Sequence, residues 1–273
     1  MIDETCCIIV PTNSKYVDIC ENFVEVFKKS WPDCPYNLVV SVTGEDKKIA
    51  GVANIYNGAD ASLIDCIINA SNTYRCDYYM IFLGDAFMCG VIDTYRVRKL
   101  LGDMKENKLD FCCLHPEKSR MKIMKVGDQM RYIHINDRYC HCFGYTLCSE
   151  KYIKKMFVES GIMSDLEYEM WYLNKTAESK SDYYYEHDAI VTSNIFNIRC
   201  GIKKGKWDRV AYRWIKRNYP DIQLANRQKL SIMSQVVMLL REHFLYLIPN
   251  GLRVLIKKNI SRLLRKNPVD TMN

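Results

Sequence analysis

Several protein classes are excluded by what this chain does not contain. Its 13 cysteines include no CxxC pair, the spacing that marks zinc ribbons and dithiol redox sites. The nearest metal-like cluster, CHC at Cys140 to Cys142, has no second ligand pair at finger spacing. The cysteines fall mostly within apolar runs, as in Cys6-Cys7 and Cys112-Cys113, and read as reduced, buried thiols. No uninterrupted apolar run reaches the ~18–20 residues that span a bilayer. The opening MIDETC is acidic, unlike the basic start of a signal peptide. A cytoplasmic protein is therefore expected. There is no internal repeat, no low-complexity tract and no early Gly-rich phosphate loop. No nucleic-acid-binding module is visible either, so the net charge of +7 does not point to nucleic acid.

What is present suits a folded enzyme-sized domain. The chain has 273 residues, 48% hydrophobic and 26% charged, enough for one large α/β domain and a small appendage. CCIIV, Cys6 to Val10, reads as a short buried strand and stops at the turn-rich PTNS. A helical pattern comes next, with Tyr16, Ile19, Cys20, Phe23 and Phe27 on one face. NLVVSV and VANIY give two further strands. Asp60 or Ser62 is placed to cap a helix whose apolar face is Leu63, Cys66, Ile67 and Ala70. YYMIFL, Tyr78 to Leu83, is a fourth strand. A helix over 93–107 has Val97, Leu100, Leu101 and Met104 as its inner face. DFCCL, MRYIHI and YCHCFGYTL read as extended, SEKYIKKMF as a short basic helix with a Ser cap, and SDLEYEMWYLNKTAES as helical.

Strands alternating with helices predict a mostly parallel sheet covered on both faces. In such sheets ligands lie beyond the carboxyl ends of the strands. Three loops meet that rule: PTNS, NGAD at Asn57 to Asp60, and GDAF at Gly84 to Phe87.

Three segments together resemble a group of bacterial surface and capsular polysaccharide glycosyltransferases. IIVPTNSKYVDICENFVEVFKKSWPDCPYNLVVS, Ile8 to Ser41, is similar to that group's opening. YYMIFLGDAF resembles its strand followed by two acids and two aromatics. DLEYEMWYLNKTAES with GIKKGKWDR resembles its acidic helix and later GKW segment. The resemblance spans residues 8–216. It implies a GT-A-like, Rossmann-like α/β fold that binds a nucleotide-diphosphate sugar, usually with a divalent metal. The chain departs from the group in three places. Its acid pair is Gly84-Asp85, its aromatic pair is Ala86-Phe87, and Leu63 stands where a Trp is expected.

Glycosyl transfer needs a stabilised diphosphate leaving group, an oriented donor and, with inversion, a base for the acceptor proton. Asp85 is the candidate ligand for Mn²⁺ or Mg²⁺, with diphosphate oxygens and water completing the shell. Its competing reading is an ordinary turn residue. Pro11, Thr12 and Asn13 are candidates for the nucleotide, Thr12 and Asn13 offering short polar groups to base or ribose; Asn13 is equally suited to turn and cap chemistry. Glu167 and Glu169 are candidate bases. Two residues apart on a helix, they point about 200° apart, so one faces the crevice; nothing in the sequence chooses between them. His187 is a less favoured base or a hydrogen-bond donor to phosphate. Lys203, Lys204 and Lys206 lie in a Gly-bearing basic loop suited either to closing on a diphosphate or to plain solvation. Trp207 is expected to anchor that loop.

From residue 221 the composition changes, which suggests a catalytic domain over 1–220 and a basic helical tail over 221–273. Leu252, Leu255, Ile256, Ile260 and Leu263 share one face of the tail, and Arg253, Lys257, Ser261 and Arg265 another. Such a helix suits the anionic inner face of a membrane, or a partner subunit of a homo-oligomer. The expected function is transfer of a sugar from a UDP-sugar to a glycan or lipid-linked acceptor in surface polysaccharide assembly. Inversion is expected, because a carboxylate base is at hand. The rivals are a catalytically degenerate glycosyltransferase-like scaffold and a nucleotidyltransferase.

Overall fold

The structure is a computed structural model and describes residues 3, 5–117, 122–135, 137, 140–159, 161–162, 164, 167–168, 171 and 184–247. Glu169 and the segment over 248–273 lie outside the described residues, as does most of SDLEYEMWYLNKTAES. Among the described residues, nine strands form one sheet in the order β3 (Ala53–Tyr56), β2 (Asn37–Thr43), β1 (Cys6–Asn13), β4 (Tyr78–Phe82), β9 (Tyr145–Ser149), β6 (Phe111–Cys113), β10 (Tyr184–Val191), β8 (Met130–His134) and β7 (Lys125–Val126). β3, β2, β1 and β4 are mutually parallel, and β6 is parallel to β10. Within this sheet only β9 and β8 run the other way. The sheet is thus mostly parallel in strand direction, and the chain has the α/β, Rossmann-like architecture expected of it.

The apolar run of β1 follows from burial on both faces. Successive side chains point to opposite sides of a strand. Cys6, Ile8 and Val10 join one core with Phe23 and Phe27 of α1 (Val17–Ser30) and Leu100 and Met104 of α3 (Thr94–Glu106). Cys7 and Ile9 join a second core with Ile64, Ile67 and Ala70 of α2 (Leu63–Thr73) and Tyr152 of α4 (Glu150–Ile153). All 13 cysteines are free thiols, and nine of them are buried. Burial raises the pKa of such thiols.

The cap of α2 is Ser62, not Asp60. Ser62 and Asp65 form a reciprocal capping box: the Asp65 N–H donates to Ser62 Oγ at 3.1 Å, and the Ser62 N–H to Asp65 Oδ2 at 2.7 Å. Two expectations from the pattern are corrected. PTNS is not a free turn, because β1 runs on through Asn13 beside β2. Residues 140–144 are not part of a strand; β9 begins at Tyr145, and Cys140 and His141 are both buried.

Beyond the sheet, β5 (Ala86–Met88) pairs with β11 (Ile198–Cys200), and β12 (Ile202–Lys203) turns into β13 (Lys206–Trp207). Asp208 then caps α5 (Arg209–Asn218), accepting from the N–H groups of Val210 and Ala211 at 2.9 and 3.0 Å. Residues 221–231 return over the body, burying Ile222 and Leu230, and lead into α6 (Ile232–Leu247). No helix among the described residues is long and apolar enough to cross a membrane.

Candidate functional site

The chain lays down β1, moves outward through β2 and β3, and returns through α2 to β4 on the other side of β1. That reversal is a topological switch point, where loops on either side of β1 diverge and leave a crevice. The register enlarges it. β1 pairs with β2 as far as Asn13↔Thr43, whereas its pairing with β4 stops at Ile9↔Ile81. Pro11, which has no N–H to donate, lies beyond that last pair. The end of β1 therefore overhangs β4.

A crevice of about 550 Å³ fills the space. Its walls are Pro11 to Asn13 and Tyr16 from β1 and its exit, Thr43 from β2, Ala61 to Leu63 at the start of α2, Leu83 to Asp85 after β4, and Ile202, Lys204 and Gly205 from the β12–β13 hairpin. The volume suits a small-molecule site lined by apolar surface with few polar groups.

Among the described residues, Asp85 is the only carboxylate in this lining. It is held in place from two directions. Its backbone carbonyl accepts from the Gly201 N–H at 2.7 Å, and its Oδ2 lies 3.2 Å from the Cys200 thiol, which donates to it. Burial raises the Asp85 pKa; the Cys200 thiol and the Ile202 N–H act against that rise but do not cancel it. The preceding residue explains the missing acid. A Cβ on Gly84 would stand 3.1 Å from Cys20 Cβ and 3.2 Å from Cys20 Sγ, so a side chain there needs Cys20 to give way by a few tenths of an ångström.

Among the described residues, no group of three or more His, Cys, Asp or Glu side chains could hold a metal ion. The donor set fits a divalent cation only with Asp85 as a lone protein ligand, the remaining positions being filled by a bound diphosphate and water.

The basic loop has a definite form. Lys204 and Gly205 occupy the left-handed region, with φ of 53° and 73°, and make the two-residue turn between β12 and β13. Turns of this hand match the twist of the flanking strands and favour Asn or Gly at both positions. Lys204 adopts the conformation as a lysine and borders the crevice. Lys203 instead faces Asp208, 3.8 Å away, and Lys206 is exposed; neither lines the crevice. Trp207 anchors the hairpin: it is fully buried, 5.5 Å from Phe87 between ring centroids, and its Nε1–H donates to the Ala225 carbonyl at 3.0 Å.

Tyr16 is a site residue that helical spacing conceals, since the spacing assigns it to the inner face of α1. It lies one residue before that helix and is exposed. The Arg227 guanidinium packs on its ring at 4.8 Å while making two hydrogen bonds to Asp18, of 2.8 and 2.6 Å. Thr43 likewise carries no site signal in the sequence beyond its strand, whereas Leu63 is marked by the resemblance as standing where a Trp is expected; the parallel register of β1 with β2 and the path of α2 bring them in.

The structure does not bring His187 to the crevice. Asp188 is level with Phe111, which is level with Cys148, and that residue is paired with Tyr79 near the start of β4. His187 is therefore at the amino edge of the sheet, exposed, with Nδ1 3.1 Å from the Lys108 carbonyl oxygen. Glu167 is exposed, and its N–H donates to Ser164 Oγ at 3.2 Å. It is not among the lining residues. Its neighbour Tyr168 is buried, with its hydroxyl 2.9 Å from that of Tyr152.

No protein-family model matches the chain, and no curated protein matches it. Among solved structures, the chain is similar to a cytidylyltransferase from Leptospira borgpetersenii serovar Hardjo-bovis (strain JB197). The match has 16% identity and a TM-score of 0.38, over 64% of this chain and 71% of that one. A likeness that distant carries no functional weight, so the chemistry rests on the crevice itself.

Proposed function

We propose that the chain is a glycosyltransferase that binds a nucleotide-diphosphate sugar in the β1–β4 crevice. The observation that carries this reading is the position of the crevice, at the switch point of a Rossmann-like sheet and lined by the loops that leave β1, β2 and β4. In this reading Tyr16 offers a ring face to the base, Thr12 and Asn13 offer polar groups to base or ribose, and Leu63 provides apolar contact. Lys204, which lines the crevice together with Asp85, offers its ammonium to the diphosphate.

A diphosphate beside Asp85 requires charge compensation. Asp85 would hold a divalent cation, which would supply positive charge for the leaving group. Burial raises the Asp85 pKa, and Lys204 offers positive charge to the diphosphate. The donor is taken to be a UDP-sugar and the acceptor a glycan or lipid-linked sugar of surface polysaccharide assembly. Transfer with inversion needs a base from the acceptor side, and Glu167 and Glu169 remain its candidates.

A second reading, nucleotide-sugar binding without turnover, is favoured by one observation: the packing of Gly84 on Cys20 leaves the crevice a single acid. Both readings are tested by thermal shift with UDP, UDP-sugars and nucleoside triphosphates, with and without Mn²⁺, on wild type and Asp85→Ala, followed by assay of UDP release. Stabilisation by UDP-sugars with UDP release supports transfer. Stabilisation without release supports the scaffold. A response to triphosphates alone, with pyrophosphate release, replaces both with a nucleotidyltransferase.

A further inference from the structure

A second concavity shares no residue with the crevice. It is a cleft of about 420 Å³ lined by Arg209, Tyr212, Arg213, Lys216, Arg217 and Lys229. Five of these six side chains are cationic, and among the described residues no carboxylate lines the cleft. The spacing of 209, 212, 213, 216 and 217 places them on one face of α5. Ala211 and Ile215 are buried on the opposite face. The Lys229 ammonium sits 3.7 Å from the centroid of the Tyr212 ring, which fixes it at the rim.

The start of α6 is fastened to this cleft. The Arg209 N–H donates to Gln235 Oε1 at 3.2 Å, and Gln235 Nε2–H donates to Asp208 Oδ2 at 2.8 Å. Arg209 Nε–H also donates to the Leu230 carbonyl. Gln235 is buried, so the face of α6 that carries it points inward. Ile232, Met233, Val236, Val237 and Leu240 occupy the outer arc and are 44–73% exposed. That is five large apolar side chains on three turns, contiguous by helical spacing.

We propose that this cleft and the outer arc of α6 form one docking surface for an anionic lipid bilayer. Two features select that occupant. A cleft of five cations calls for clustered anions, as lipid phosphates at a headgroup surface provide. The adjoining apolar arc calls for a hydrocarbon phase at the same depth, which interfacial helices obtain by sinking into the headgroup boundary. Nucleic acid satisfies the first demand but not the second. The chain's own residues 248–273 carry six Lys or Arg and one acid, Asp270. They add charge of the same sign and do not neutralise the cleft. A second copy presenting the same cationic face would be repelled. This surface is independent of whatever the β1–β4 crevice binds.

The test is co-sedimentation of the full chain with vesicles of phosphatidylglycerol and phosphatidylcholine, against vesicles of phosphatidylcholine alone. The expected result is binding to the anionic vesicles only. The pair Arg213→Glu and Arg217→Glu should lower it by about tenfold or more. So should the pair Met233→Glu and Val237→Glu. Arg213→Gln with Arg217→Gln should give an intermediate loss, and all these variants should keep the wild-type Tm, since every altered side chain is at the surface. Four results would overturn the proposal. One is equal binding to both vesicle types. Another is undiminished binding by both helix variants while Lys257→Glu with Lys258→Glu abolishes it, which would assign the contact to the tail alone. The third is a dimer in solution that Met233→Glu with Val237→Glu dissociates. The last is binding to random duplex DNA that needs the arginines but not the apolar arc.

Discussion

The Cys200 thiol and the Asp85 carboxylate meet at 3.2 Å at the end of the β5–β11 ribbon, 115 residues apart in sequence. The contact decides which face of Asp85 is available, since Oδ2 is occupied by a donor from the protein itself. It also ties the crevice to the hairpin that carries Lys204.

Asp85 should govern how stability depends on pH. Burial raises its pKa in the folded state, so the folded chain holds that proton to higher pH than the unfolded chain does. The resulting stability is complete below the unfolded value of about 3.9 and is lost as pH rises through the folded value. Asp85→Asn removes the ionisation. Its Tm should exceed that of wild type at neutral pH, and the gap should close as pH falls toward the ordinary carboxylate range. Differential scanning calorimetry across that range checks the sign; a gap that widens on acidification contradicts it.

Restoring the missing acid should be costly. Gly84→Asp forces a side chain against Cys20, an overpacking expected to cost about 1–3 kcal/mol. Cys20→Ala removes the Sγ contact at 3.2 Å but keeps the Cβ contact at 3.1 Å, so it opens part of that space, and it costs stability on its own. The double variant should be more stable than the sum of the two single changes predicts. Urea denaturation of the four proteins measures this coupling, and strict additivity would show that Gly84 and Cys20 do not constrain each other.

Lys204 and Lys206 should separate cleanly. Lys204→Gly places glycine where φ is 53°, a conformation it adopts without steric cost. The variant should keep its Tm or gain slightly. On the proposed function, its affinity for a UDP-sugar should fall by about tenfold, as loss of one charge-assisted contact implies. Lys206→Ala should leave affinity unchanged. Isothermal titration calorimetry of both variants distinguishes a ligand-facing lysine from a turn residue.

Asp208 joins three elements: it caps α5, receives the Gln235 amide and lies 3.8 Å from Lys203. Asp208→Ala should destabilise the chain by about 1–3 kcal/mol, through loss of the cap and of the acceptor for a buried amide. Asp208→Asn retains an acceptor oxygen and should recover part of that loss. Chemical denaturation of the two variants compares them.

The elements legible from sequence are those whose burial is local. Val97, Leu100, Leu101 and Met104 recur at helical spacing and all four are buried in α3. CCIIV has no polar alternation because both its faces are covered. The direction of β9 is not legible, since a short apolar segment carries no sign of whether it enters the sheet parallel or antiparallel. Three of the crevice's contributors, Pro11, Thr12 and Asn13, are legible because they stand at the carboxyl end of a buried strand. Tyr16 is hidden because helical spacing takes no account of where the helix begins. Cys200 is hidden because its pairing with Asp85 exists only through the β5–β11 register, which joins segments more than a hundred residues apart.

The register of β1 has a bearing on how the protein comes to be competent. Its pairing with β2 runs four residues further than its pairing with β4, and Ile202, Lys204 and Gly205 contribute to the wall of the opening. The cavity is therefore assembled from pieces at both ends of the described chain, and such distant contacts are slow to form. On the proposed function, a fluorescent nucleotide added during refolding should gain signal in the last phase, after helical structure has appeared. The binding site would then serve as a clock for completion of the fold.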